Sequence, residues 1–399
     1  MNKALVVILA AVMLDAVGIG LIFPILPALL RDVGHTTDIS MLLGVMLALY
    51  SACQFLFSPI LGVLSDRFGR RPVLLVSLAG AAIDYLVMAF APELWLLVIG
   101  RAIAGITSAN MAVATAYITD ISTEEQRARR FGLFHAMFGI GFIIGPVLGG
   151  ILGDIWLRSP FLIAAILNAA NFALALFLLP ESRPGQKGTR FTWSTLNPFK
   201  PLAWALTFKA LIPLMAIYLI MNLVGTVYGS IWAIFSEDVF AWNGMMIGLS
   251  LGAYGLLHAI AQAFLTGPAV ARLGERWALL LGMACEITAM LVMALSGQGW
   301  LVFVIMPIFA LGGIGMPALQ SLLTRQVDSA RQGQLQGVLA SLVSLASVFG
   351  PLFFSMTYHG LRPSWPGAIW LVAICIYLLA VPLMMGIRRT LTVQTVHPG

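Results

Sequence analysis

GVLSDRFGRRP, residues 62–72, is a short polar turn after a long apolar run, and GPAVARLGERW, residues 267–277, is a similar turn in the second half of the chain. The first turn follows the second apolar run of the chain, and the other follows the eighth. The same turn at the corresponding place in each half is what a parallel internal repeat predicts. The two stretches therefore predict two similar halves of six helices each.

The composition places the chain in a lipid bilayer. Of its 399 residues, 60% are hydrophobic and only 10% are charged, which lies far outside the range of soluble globular domains. The net charge of +6 does not indicate a nucleic-acid partner, because the basic residues are scattered between apolar runs. The first apolar run has no small-residue cleavage site, so we predict a retained first helix rather than a signal peptide.

Apolar segments long enough to cross a bilayer recur along the whole chain. We predict an all-α membrane protein with twelve transmembrane helices in two six-helix bundles. The spans lie near 4–29, 41–61, 73–92, 95–118, 132–153, 159–179, 208–232, 245–268, 277–296, 300–322, 334–356 and 365–387. The predicted domains are an N-terminal bundle at 1–180, a basic, proline-rich cytoplasmic linker at 181–206 and a C-terminal bundle at 207–399.

The lysine and arginine residues decide the orientation, because cytoplasmic loops carry an excess of both. An even number of spans puts both termini on one side. With the termini inside, eighteen of these residues lie on the cytoplasmic side, and only Arg31, Arg158 and Arg362 lie outside. Both termini are therefore predicted to be cytoplasmic.

Four charged side chains lie within the predicted spans: Asp15, Asp84, Arg101 and Glu286. A charge at the centre of a membrane helix costs about 2.5–3.5 kcal/mol on insertion scales, so such groups normally face a bundle interior or a water-filled cavity. Because low dielectric disfavours a charged carboxylate, a carboxyl group in such a cavity can exchange protons as access alternates. The alternative is that each acid has only a structural role, in which it pairs with a neighbouring group or caps a polar patch. Arg101 is consistent with a fixed ion pair to a neighbouring helix, with a pair that separates during transport, or with both.

Uncharged polar residues mark a further candidate surface. His258 and Gln262 are four residues apart and share one helical face, which suggests a wet interior, although a histidine that only packs is an equal alternative. Gln54 and Asn110 are weaker candidates for the same role. The sequence has no nucleotide-binding glycine loop, Ser/His/Asp constellation or metal-ligand spacing, so we predict neither an enzyme nor a bound metal or cofactor.

Two further motifs suggest movement. In GFIIGPVLGG, residues 141–150, Gly141 and Gly145 permit close helix contact and Pro146 bends the helix, which fits a packing seam and also a hinge. The turn at 62–72 gathers charged residues that serve either as a topology anchor or as a latch that opens and closes. These residues are Asp66, Arg67, Arg70 and Arg71.

Nearly the whole chain resembles the major facilitator superfamily, and within it the tetracycline/proton antiporters of Gram-negative bacteria. The stretches that carry the resemblance are LDAVGIGLIFPILP near the start, LSDRFGRRPVLLVSLAGAAIDY from 64 to 85, GFIIGPVLGG, LLHAIAQAF, and GGIGMPALQ with RQGQLQG. The 62–71 turn is general to the superfamily. The 141–150 pattern looks like the antiporter motif and favours export over uptake.

The resemblance implies roles for individual residues. It places Asp15 and Asp84 in the central path, Asp66 with Arg70 in the gating turn, Arg101 at the helix 4 arginine, and His258 with Gln262 on the substrate face. Glu286 stands where the family usually has an aspartate for proton coupling. A second departure is GITSANMAVATAY in helix 4, where the tetracycline exporters are typically rich in glycine and alanine.

The resemblance thus implies a proton-coupled exporter of the bacterial inner membrane. The expected substrate is tetracycline as a chelate of a divalent metal such as Mg²⁺, the energy source is the proton gradient, and the expected state is a monomer. Glu286 is assigned the main proton-coupling role. The alternative is a multidrug antiporter for other lipophilic or cationic compounds, because both departures touch the expected pocket. A nutrient importer and a membrane sensor are further alternatives.

Overall fold

The computed structural model describes residues 3–36, 38–182, 211–327 and 331–384. Most of the predicted linker at 181–206 lies outside these residues, so the linker stays a prediction. Within the described ranges every regular element is a helix and no strand occurs. The predicted all-α fold is confirmed.

The first part of the chain holds eight α-helices within the described residues. They are α1 (Lys3–Ile22), α2 (Leu26–Gly34), α3 (Ser40–Phe68), α4 (Arg70–Phe90), α5 (Leu94–Thr107), α6 (Asn110–Asp120), α7 (Glu124–Ile155) and α8 (Ser159–Leu178). After residue 210 follow α9 (Leu211–Phe240), α10 (Gly244–Ile260), a π-helical turn (Ala261–Leu265), α11 (Thr266–Leu295), α12 (Trp300–Leu311), a 3-10 turn (Gly312–Ile314), α13 (Gly315–Thr324), α14 (Gln332–Leu361) and α15 (Ala368–Leu378).

These helices supply the twelve predicted crossings. Ten stretches of described helix are long and apolar enough to span a membrane. One of them, Gly244–Leu295, has 52 residues, or about 78 Å at 1.5 Å per residue, and therefore holds two crossings. The shorter apolar helix Ala368–Met384 supplies the twelfth.

The chain forms two compact units. Among the described residues, unit 1 comprises 3–36, 38–182 and Trp242–Gly255, and unit 2 comprises 211–241, 256–327 and 331–384. In unit 1, α1 packs against α7 and α8, and α4 packs against α5 and α8. Thirteen of the twenty residues of α1 are buried, so this apolar helix forms the centre of its unit. In unit 2, α9 packs against α14, and α11 packs against α12, α13 and α15.

The two repeated turns have the same backbone. Gly69 precedes α4 with φ 104° and ψ 161°, and Gly274 interrupts α11 with φ 77° and ψ 161°. Because a positive φ strains residues with a Cβ atom, glycine is required at both places. The equivalent position and conformation of these glycines support the parallel repeat that the sequence predicts.

Several membrane helices are broken rather than straight. A turn at 23–25 separates α1 from α2, and two residues, 108 and 109, separate the end of α5 from the start of α6 at Asn110. The π turn and the 3-10 turn interrupt two further spans in unit 2. Irregular backbone at membrane depth persists only where it is buried in protein or lines a cavity, so these breaks are the first places to look for a site.

Candidate functional site

The break between α5 and α6 anchors a polar cluster in unit 1. The hydroxyl oxygens of Ser108 and Tyr50 lie 2.8 Å apart, and the Gln54 side-chain amide donates to the Ser108 hydroxyl at 2.8 Å. The Ser77 hydroxyl accepts a hydrogen bond from the backbone N–H of Ala109 at 3.3 Å. The Ser77 side chain thus binds the backbone at the break, and the side chains of Tyr50 and Gln54 bind Ser108. The GITSAN stretch, residues 105–110, is where the membrane span formed by α5 and α6 is interrupted.

Asp15 and Asn110 form a second contact beside this break. The Asn110 amide donates to Asp15 Oδ1 at 3.0 Å, and Asp15 is only 7% exposed. Asn110 Oδ1 is buried and has no hydrogen-bond partner among the described residues. Both side chains line a small cavity of about 10 Å³, enough for about one water molecule. Asp15 and Asn110 are both predicted to face the substrate, and the structure brings the two side chains into contact.

Asp84 and Arg101 form an ion pair within unit 1. The Arg101 Nε donates to Asp84 Oδ1 at 3.3 Å, and a closer contact joins Arg101 Nη2 to Asp84 Oδ2. The guanidinium also lies 5.4 Å from the centre of the Tyr50 ring. Since Tyr50 contacts Ser108, which binds Gln54, a continuous chain of polar contacts leads from Asp84 to Gln54. Tyr50 is not among the residues predicted from the sequence, although its spacing of four from Gln54 on α3 puts both on one helical face.

The candidate residues of unit 2 gather around the 3-10 turn. A Cβ atom added to Gly312 would lie 2.9 Å from Glu286 Oε1, and one added to Gly313 would lie 2.6 Å from His258 Cδ2. Gln262, within the π turn, donates to the Gly313 carbonyl at 3.5 Å. Three predicted residues from α10, the π turn and α11 therefore surround one turn. The fully buried Tyr377 of α15 lies near the Glu286 carboxyl group.

The predicted glycine seam lies between α7 and α1. A Cβ added to Gly141 would lie 2.5 Å from the Met13 carbonyl oxygen, and one added to Gly145 would lie 2.7 Å from Gly20 Cα. Gly149, which the sequence analysis did not single out, makes the same kind of approach to Leu21. Pro146 lies inside α7 without ending it. The two helices therefore touch backbone to backbone along this face.

The opposite side of α7 contacts the start of α10, within the same unit. A Cβ added to Gly248 would lie 3.0 Å from the Pro146 carbonyl carbon. The Asp154 carboxylate accepts hydrogen bonds from the backbone N–H groups of Gly244 and Met245, both at 3.0 Å. A carboxylate at a helix N-terminus satisfies orphan donors and complements the helix dipole. Asp154 therefore fixes the beginning of α10, a role that the sequence did not reveal.

Arg70 is the centre of the charged turn before α4. Its guanidinium contacts Asp66 at 2.7 Å, Asp120 at 3.0 Å and the Ser65 hydroxyl at 2.6 Å. Arg71 donates to the Leu176 carbonyl at the end of α8. Of the four residues predicted for this turn, Asp66, Arg70 and Arg71 thus have partners that tie helices together.

Arg67 and Glu181 complete the turn. The Arg67 guanidinium lies 5.4 Å from the centre of the Phe68 ring. Glu181, just after α8, accepts hydrogen bonds from the backbone N–H groups of Arg70 at 2.8 Å and Arg71 at 3.1 Å. Glu181 therefore caps the N-terminus of α4 from a distant part of the sequence.

In the repeated turn of unit 2, the residue that follows the glycine has the opposite charge. Glu275 follows Gly274 as Arg70 follows Gly69, and its carboxylate contacts Arg325 at 2.6 Å. Arg325 directly follows α13, just as Asp120 ends α6. The two units therefore have salt bridges at matching places with acid and base exchanged.

No group of three or more His, Cys, Asp or Glu side chains that would hold a metal ion occurs in the parts of the chain that the structure describes. The chemistry available around the breaks is hydrogen bonding, charge pairing and proton exchange at carboxyl groups. Both units are surrounded by exposed apolar side chains, as expected for surfaces in lipid.

The chain is similar to known transporters over nearly its full length. The Major Facilitator Superfamily model matches residues 8–229 and 214–397. The tetracycline resistance protein of class C from Escherichia coli is 52% identical, with 96% of each chain covered. The class G protein from Vibrio anguillarum is 46% identical, covering 96% of this chain and 98% of the relative.

A solved structure supports the fold. The crystal structure of a mutant of the nucleoside transporter NupG aligns with a TM-score of 0.78 at 13% identity, over 96% of this chain and 99% of that one. The fold, the full-length family match and the identity to the resistance proteins agree. The chain belongs to the Major Facilitator Superfamily and, within it, to the family of the tetracycline resistance proteins.

Proposed function

We propose that the chain exports tetracycline across the bacterial inner membrane in exchange for protons, by alternating access. The observation that carries this proposal is the set of carboxyl groups held inside membrane-spanning helices at Asp15, Asp84 and Glu286, in a chain whose relatives are tetracycline resistance proteins. A carboxyl group retained in a span despite its cost is a functional site by default.

The three acids differ in their surroundings, which supports different roles. Asp84 has a cationic partner in Arg101, and Asp15 is bound by the neutral Asn110. Glu286 is only half-buried and lies between the Gly312 backbone and Tyr377, with no cation in salt-bridge contact among the described residues. A carboxyl group without a fixed cation can become neutral without breaking an ion pair. Asp15 and Glu286 both meet this condition, and we assign proton coupling to Glu286 because it stands where the family that the sequence resembles has an aspartate for proton coupling. Asp15 and Asp84 then receive the substrate, with Arg101 paired to Asp84.

We assign roles to the remaining candidate residues from their positions in the structure. His258, Gln262, Gln54 and Asn110 contribute to drug binding, and the charged turn at 66–71 and the α7 glycine seam to gating. The drug enters as a chelate of a divalent cation such as Mg²⁺, so the metal is part of the substrate. We further propose that both termini lie in the cytoplasm and that the protein acts as a monomer.

Drug-dependent proton flux in proteoliposomes tests this function. Addition of tetracycline with Mg²⁺ is expected to drive protons across the membrane, and omission of Mg²⁺ is expected to abolish the flux. The variant Glu286→Gln is expected to lose it. Glu125→Gln, a change at an exposed glutamate of α7, is the matched control and should retain it. Export by Glu286→Gln against a drug gradient, as effective as in the parent, would contradict the assignment.

The second candidate is a multidrug antiporter, and the contacts at the break between α5 and α6 favour testing it. Ser108 and Asn110, which depart from the family pattern, bind Tyr50, Gln54 and Asp15 around the break. Growth inhibition by tetracycline, fluoroquinolones and quaternary amines should be compared in cells with and without the protein. Protection against tetracycline alone supports the proposal, and equal protection against all three classes supports the alternative.

A further inference from the structure

Two departures from regular α-helix contact each other in unit 2. The π turn at Ala261–Leu265 and the 3-10 turn at Gly312–Ile314 pack together. Both kinds of turn give up regular hydrogen bonding inside a helix, and they occur frequently at hinges and functional sites. Their contact brings Gln262 next to Gly313.

Gly312 provides the space that Glu286 occupies. A Cβ atom on Gly312 would lie 2.9 Å from Glu286 Oε1 and 3.0 Å from its Cδ, and closer still to its Cγ. Ordinary Cβ contacts begin at 3.4 Å. Any larger residue at 312 would therefore displace the carboxyl group or the turn.

Gly313 provides the same space for His258. A Cβ atom there would lie 2.6 Å from His258 Cδ2 and closer to Nε2. Two consecutive residues without side chains thus hold a carboxyl group from α11 and an imidazole from α10 against one backbone turn. We call this turn, residues 312–313, the double-glycine seat.

We propose that Gly312 and Gly313 are positioning residues whose double-glycine seat couples the placement of Glu286 to that of His258. The inference rests on the proposed function, in which Glu286 exchanges the proton and His258 faces the drug. A change in the charge of Glu286 alters how its carboxyl group lies against Gly312. Because residues 312 and 313 share a peptide bond, a movement of Gly312 also moves Gly313, against which the His258 imidazole packs.

Binding measurements on the purified full chain test the coupling. Tetracycline with Mg²⁺ is titrated into the parent, Gly312→Ala, Gly313→Ala and Gly225→Ala, and both affinity and protons released per bound drug are recorded. Gly225 is the matched control, because it lies inside α9 and a Cβ there has nothing within 4 Å. Because the seat couples the two side chains, Gly312→Ala and Gly313→Ala are each expected both to weaken binding about tenfold, within the usual range of coupling effects, and to lower the number of protons released per bound drug. Variants that each change only one of the two quantities would overturn the coupling.

Unfolding measurements keep the proposal testable if a single variant binds no drug. In the His258→Ala background the imidazole is gone, so Gly313→Ala should cost far less stability than in the parent. The same holds for Gly312→Ala in the Glu286→Ala background. If each glycine substitution lost as much stability in its alanine background as in the parent, the double-glycine seat would be overturned.

The outcomes separate this inference from the proposed function. If the parent and Gly225→Ala release no protons on binding the drug, the proposed function fails, and the paired unfolding measurements still report on the seat. If the parent releases protons and both seat variants behave like Gly225→Ala, the inference fails alone.

Discussion

Gly149→Ala tests the backbone contact between α7 and α1. The added Cβ would lie 2.7 Å from the Leu21 carbonyl carbon and 2.8 Å from Leu21 Cα, and closer to the carbonyl oxygen. These are backbone atoms, so no side-chain rotation relieves the overlap. Ordinary contact needs 3.4 Å or more, and the helices must therefore move apart, which also loosens the contacts at Gly141 and Gly145.

The expected loss follows from two opposing effects. Overpacking a tight contact costs about 1–3 kcal/mol, and a contact with rigid backbone belongs at the upper end of that range. Replacing glycine by alanine inside a helix returns about 1 kcal/mol. We therefore expect Gly149→Ala to lower the free energy of unfolding by about 2 kcal/mol.

Gly139→Ala is the matched control in the same helix. A Cβ at Gly139 has nothing within 4 Å, so this variant should be as stable as the parent or up to about 1 kcal/mol more stable. Both variants are unfolded in detergent micelles with increasing denaturant, and drug efflux from cells is measured beside them. A Gly149→Ala protein as stable as Gly139→Ala would refute the close contact.

Three further predictions concern charged residues. Asp84→Asn removes the partner of Arg101, whose side chain is only 11% exposed, and should cost about 3–5 kcal/mol in unfolding free energy; adding Arg101→Gln should restore much of it, and a double variant less stable than Asp84→Asn would argue against the pair. Glu275→Arg and Arg325→Glu should each reduce efflux and thermal stability, whereas the double exchange, which can re-form the salt bridge, should recover only part of both because its charges then oppose the helix dipoles; a double variant no better than the single variants would mean that the pair does not matter. Asp154→Ala should cost about 0.5–2 kcal/mol as a lost helix cap, measured by thermal unfolding, and an unchanged midpoint would show that the cap is dispensable.

The topology was predictable from the sequence because it depends on averages over many residues. Twelve apolar runs and the repeated turn are visible without knowledge of any contact, and the described helices follow them. The seam of α7 was partly predictable for a similar reason. Gly141, Gly145 and Gly149 are spaced four apart and so share one face of the helix, whereas Gly139 lies off that face and contacts nothing.

The contacts of the candidate site were not predictable, because they depend on helix rotation and on breaks in the helices. Asp84 and Arg101 were both identified, but only the structure shows them as a pair. GITSAN was read as a change of side chains, and its main consequence is a break around which Ser108 gathers its partners. The position of Gly313 against His258 requires the 3-10 turn, which the apolar pattern of that helix does not reveal.

The exchanged charges of the two turns show what the repeat preserves. Arg70 lies at the N-terminus of α4 and Asp120 at the C-terminus of α6, so both charges in unit 1 oppose the helix dipoles. In unit 2, Glu275 begins the helix after the break at Gly274 and Arg325 follows the end of α13, so there both charges complement the dipoles.

This difference explains why unit 1 needs an additional acid. Glu181 places its carboxylate on the backbone N–H groups of Arg70 and Arg71, where it supplies the negative charge that the α4 N-terminus favours. At the other turn, Glu275 already supplies that charge from within the turn. The contact between the turn and the end of a neighbouring helix is therefore what both units share, and in unit 1 Glu181 offsets the unfavourable sign of Arg70 at the α4 N-terminus.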